Sequence, residues 1–98
     1  MSADAEAATR MADRYKPLIS KFINKEISAS EFESCYIALF KRDKSKVGGE
    51  KFDILDRLFA DVDAYEADPE LRKQVYGGIG DEELLTYARA AYQKLYEA

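Results

Sequence analysis

The sequence predicts an all-α protein: an antiparallel four-helix bundle-like single domain, with a short extra helical turn between the third and last main helices. Three observations carry that expectation. Apolar residues recur at three- and four-residue spacing through nearly the whole chain, and no stretch alternates apolar and polar as a half-buried strand does. Four such stretches are separated by short segments rich in Ser, Gly, Asp and Pro, and helices joined by short loops pack as antiparallel neighbours. Ninety-eight residues, 47% hydrophobic and 35% charged, suit one domain with a single modest core, and residues 1–98 are taken as that domain.

Met11, Tyr15, Leu18, Ile19, Phe22 and Ile23 mark the buried face of the first helix. Pro17 falls inside this pattern, where it either kinks the helix or opens its ordered part after a frayed, Ala-rich lead-in over residues 1–14. Ser28-Ala29-Ser30-Glu31 matches a capping box, with Ile27 and Phe32 placed as a hydrophobic staple. The second helix continues through Phe32, Cys35, Tyr36, Leu39 and Phe40, with Cys35 read as a small buried hydrophobe. Lys41, Arg42, Lys44 and Lys46 suit the negative end of that helix, and Gly48-Gly49 breaks the chain.

In the third helix Phe52, Leu55, Leu58, Phe59, Val62 and Tyr65 face inward, and the polar side carries Asp53, Asp56 and Asp63. Asp68 as cap and Pro69 at the first helical position open the short extra turn. Tyr76 to Gly80 reads as a flexible loop. Asp81-Glu82-Glu83 then sits at the positive end of the last helix, which buries Leu84, Leu85, Ala88, Ala91, Tyr92 and Leu95. The tyrosines beside these stripes are expected to pack their rings and leave their hydroxyls wet.

Several function classes fall away. The chain has no histidine, hence neither the usual general base near neutral pH nor the commonest metal ligand. It has no phosphate-binding glycine loop and no nucleophile elbow. Asp61-Val62-Asp63 resembles the start of a calcium loop, but Tyr65 stands at the next ligand position, Glu66 at the glycine position and Arg72 at the closing glutamate position. No catalytic residue, metal or cofactor is expected. One cysteine excludes an internal disulfide, and no apolar run approaches the roughly 20 residues of a membrane helix. With no signal-peptide pattern at the N-terminus, the expected location is cytoplasmic.

The charge pattern is uneven. Residues 50–70 hold eight carboxylates against Lys51 and Arg57, a net of −6, whereas the remaining residues hold eleven acids and thirteen bases, a net of +2. Such a segment repels itself, so its natural use is against a basic partner; a solvated helix face is the plainer reading. Tyr65 lies within the segment like an interface anchor inside a charged rim. Direct nucleic-acid binding is not expected at a pI near 4.9.

Two strings carry a family resemblance. One is Ile27-Ser28-Ala29-Ser30-Glu31-Phe32-Glu33 with Tyr36 and Leu39-Phe40-Lys41. The other runs from Phe52-Asp53-Ile54-Leu55-Asp56 through Leu58 to Tyr65 and on to Asp68-Pro69-Glu70-Leu71-Arg72. Together, over about residues 18–96, the chain resembles the colicin D immunity-like family, small helical proteins that protect a bacterium from its own tRNA-cleaving toxin. The resemblance implies an inhibitor whose acidic side chains replace the tRNA backbone in the toxin's basic active site. It places Asp63, Glu66 and Asp68 opposite the catalytic basic residues. Charge density adds Asp56 and Asp61, and Tyr65 is a packing anchor. The expected partner is a basic nuclease toxin domain in a one-to-one complex, with the free protein a monomer that touches neither nucleic acid nor membrane. The alternatives are a helical adaptor that binds a basic protein without inhibiting it, and a mimic that blocks a DNA-binding protein.

Overall fold

The computed structural model describes residues 3–97. Its elements are α1 (Ala3–Ile23), α2 (Ala29–Arg42), α3 (Glu50–Asp63), the single turn α4 (Pro69–Arg72) and α5 (Asp81–Tyr92), which ends in a π-helical turn, Gln93–Glu97. Helix α1 packs against α2, α3 and α5, so the expected four-helix arrangement is the one observed, with α4 as the extra turn. Among the described residues the β-type pairing is a single isolated bridge, Tyr65 with Ile79.

Helix ends follow local chemistry. The capping box at Ser28 is formed: Ser28 Oγ accepts from the Glu31 amide at 3.1 Å, and Glu31 accepts from the Ser28 amide at 3.2 Å. Helix α1 closes without a glycine. Lys25 takes the left-handed conformation (φ 62°), while the Glu26 amide reaches Lys21 O and the Lys25 amide reaches Phe22 O. Pro17 lies within an unbroken α1, and Met11 and Ala12, N-terminal to it, are buried.

The core is an aromatic seam between α1, α2 and α3. Phe22 stacks on Phe32 at 4.4 Å, Phe40 on Phe59 at 4.6 Å, and Tyr36 bridges Tyr15 and Phe32. The Tyr36 and Tyr96 hydroxyls, expected in water, are instead bonded inside the protein, as is that of Tyr15. Tyr36 donates to Leu55 O at 2.7 Å, Tyr96 to Ala12 O at 2.6 Å and Tyr15 to Asp43 Oδ2 at 2.9 Å. A buried ring whose edge cannot reach solvent must find a protein acceptor.

Cys35 is exposed, contrary to its reading as a core residue. Ala29, Phe32, Tyr36 and Phe40 set the buried stripe of α2, and at about 100° per residue Cys35 lies roughly 100° from its centre. Asp43 is the hidden polar hinge of the bundle. Its side chain, 4% exposed, accepts from Arg14 and Tyr15 on α1 and from the Ser45 amide. Lys46 closes the same corner, donating to Phe40 O at 2.6 Å with its ammonium over the Phe40 ring.

Candidate functional site

The acidic segment folds into a helix end, a tight turn and a braced excursion. Helix α3 stops at Asp63, and the chain turns so that Tyr65 enters the core at 7% exposure. The Tyr65 hydroxyl donates to Asp81 Oδ1 at 2.6 Å, with Ser30 Oγ at 3.4 Å. Burial, then the bond to Asp81, raises the pKa of this phenol. Tyr65 thus joins the starts of α2 and α5 to the end of α3, and its side chain is not presented to solvent as a free anchor.

Around that joint the carboxylates gather. Asp63 is exposed and Glu66 half-buried. Glu33, from α2, has its pKa raised by burial and then by the nearby charges of Glu66 and Asp63. Asp68 caps α4, its Oδ1 accepting from the Glu70 amide at 2.9 Å, and Glu66 Oε2 accepts from the Asp68 amide at 3.2 Å. Among the described residues no ion pair within 4.0 Å involves Glu33, Asp63, Glu66 or Asp68.

The five carboxylate candidates therefore separate. Asp63, Glu66 and Asp68 lie together at the end of α3 and in the following turn. Asp56 is exposed two turns back, about 20° around the helix from Asp63 and roughly 10 Å along it. Asp61 lies on the other side of α3, in a groove of about 510 Å³ lined also by Glu50, Asp53, Arg57, Tyr87 and Lys94. Burial raises its pKa while Arg57, 3.9 Å away, opposes that rise. Asp61 is thus part of a mixed-charge groove and separate from the Asp63 cluster.

The loop after α4, which the sequence reads as flexible, is tied to the bundle at its base. Ile79 donates its amide to Ala64 O at 3.0 Å and accepts from the Glu66 amide at 2.9 Å, closing the excursion at its base. Arg72 folds inward, Nε to Glu66 O at 3.0 Å and Nη2 to Ala67 O at 3.3 Å. A side chain on Gly80 would meet that guanidinium at 2.7 Å, and Gly77 turns the chain at φ +75°. Arg72 and Glu33 are the residues that reading the sequence missed. Both stand in the strings that carry the family resemblance, but neither role was legible there: Glu33 meets Asp63 and Glu66 from another helix, and Arg72 bonds backbone carbonyls.

Chemically, the surface can neutralise a dense positive charge. Among the described residues no group of three or more His, Cys, Asp or Glu is arranged to hold a metal ion, and no helix is long and apolar enough to cross a membrane. Residues 11–95 match a family described as bacterial self-protective colicin-like immunity. No curated protein sequence matches the chain.

Proposed function

The chain belongs to the bacterial self-protective colicin-like immunity family, and from that premise we propose how it protects against its toxin: it binds a cognate tRNA-cleaving toxin one-to-one and covers the basic active site with the carboxylates at the end of α3. One observation carries this reading. Glu33, Asp63 and Glu66 are drawn together from two helices and a turn without an intervening cation, at the cost of mutual repulsion felt at Glu33. A basic cleft relieves that repulsion on binding, so the energy withheld from folding becomes available to the complex. The tRNA backbone is itself a row of negative charges, and Asp63, Glu66 and Asp68 supply a substitute row. Each desolvated charge pair in such an interface couples by about 1.5–7 kcal/mol.

The test is tRNA cleavage by the cognate toxin domain, with and without the protein, at low and high salt. Stoichiometric protection that weakens with salt is expected. Asp63→Asn with Asp68→Asn should reduce affinity at least tenfold, since asparagine keeps the α4 cap and removes the charge, whereas Glu97→Ala should change it little. Equal losses from the two sets would reject the site. A stable complex with undiminished cleavage would mean an adaptor.

A further inference from the structure

The carboxylates do not account for the segment that follows them. Leu71, Val75 and Tyr76 are 47%, 48% and 106% exposed. They stand on the excursion that Arg72 and Ile79 brace from within. Single exposed apolar side chains are ordinary, but several held outward on one ordered segment mark a contact surface. Burial of their neighbours does not require them to be there, because the bracing comes from backbone bonds and Arg72.

We propose that Leu71, Val75 and Tyr76 are the apolar anchor by which this protein selects its cognate toxin among toxins whose active sites are similarly basic. The proposal rests on the acidic surface being the toxin-facing one. The same excursion carries Glu66, Asp68 and Glu70, against which Lys73 pairs only with Glu70, at 3.6 Å and both largely exposed. The fitting occupant is therefore a basic surface with an apolar recess, as the toxin's domain would present. A second copy of this chain would set the same carboxylates against one another.

The two halves of the surface do different work. Positive charge is common to any site that grips a nucleic-acid backbone, so carboxylates speed encounter and add affinity but discriminate poorly. Apolar side chains in a shaped recess discriminate, and they act through the dissociation rate.

Association and dissociation rates with the cognate toxin domain separate the possibilities. Tyr76→Ala should leave the melting temperature unchanged, because the side chain is fully exposed. It should raise the dissociation rate about 30-fold or more, the range of an interface hot spot, with association rate and salt dependence unaltered. Leu71→Ala should do the same to a smaller extent. Asp63→Asn should instead slow association and flatten the salt dependence. Unchanged dissociation for Tyr76→Ala and Leu71→Ala, with Asp63→Asn still impaired, would overturn the anchor and leave the acidic reading standing. No binding by the native chain would overturn both. Self-association that Tyr76→Ala abolishes would assign the patch to a second copy and also overturn the proposal.

Discussion

Replacing Asp43 with alanine removes the carboxylate that ties the end of α2 to α1. The Tyr15 hydroxyl, on a residue with no exposed surface, loses its acceptor, and stranding it costs about 1–3 kcal/mol. Losing the Ser45 amide bond adds about 1 kcal/mol. The Arg14 side chain, 36% exposed, turns to water, so its ion pair contributes little. The total is about 3 kcal/mol, which for a domain of this size lowers the melting temperature by roughly 12–24 °C.

Circular dichroism at 222 nm reads this directly, and Tyr15→Phe closes a double-mutant cycle. In that background Asp43→Ala should cost about 1–2 kcal/mol less. Acidity supplies an independent check. Against the upward push of burial, the Ser45 amide, Arg14 and Tyr15 hold the Asp43 carboxyl below its ordinary pKa. A depressed folded value means the stabilisation is fully present above the unfolded value, near pH 4, and is lost as pH falls through the lower folded one. The gap in melting temperature between the native and variant proteins should therefore hold from about pH 8 to 5 and close only below about pH 4. A variant melting within about 3 °C of the native protein at neutral pH would refute the reasoning.

Glu33→Gln removes a carboxylate whose folded pKa is raised, so the contribution of Glu33 to stability is fully present below the ordinary carboxylate range and is lost as pH rises through the raised value. At pH 7 the variant should melt slightly higher than the native protein and bind the toxin more weakly, and the melting difference should vanish in acid. A variant that melts lower and binds as before would remove Glu33 from the surface. Cys35, exposed on α2, should react with a maleimide in the folded protein nearly as fast as in urea, with no change in melting. Slow labelling would return it to the core.

Much of the fold was legible because helical spacing and caps are local. The box at Ser28, the Asp68-Pro69 start and the inward residues of α3 all follow from neighbours within a turn. Cys35 was misread because a spacing of three from Phe32 also fits the edge of a stripe, and only Ala29 and Phe40 fix the stripe's centre. The α1 end was hidden because Lys25 holds a conformation usually marked by glycine. Within the acidic segment, helical spacing already sets Asp61 on a different edge from Asp63 and beside Arg57, four residues away. Only the bundle brings Glu33 from another helix near Asp63. The bonds that tie the excursion could not be read from Tyr76 to Gly80, since their partners are Ala64, Glu66 and Arg72.

Those bonds give the protein a separable part. The chain leaves the bundle after Glu66 and re-enters at Ile79 through one pair of backbone hydrogen bonds, so residues 67–78 hang from what is nearly a single point. Backbone bonds accept almost any side chain, and within the insert Arg72 is the exception, because its guanidinium holds Glu66 O and Ala67 O and lies against Gly80. The other side chains of the insert stand outside the core cluster, so substitutions among them leave the packing of the four helices as it is.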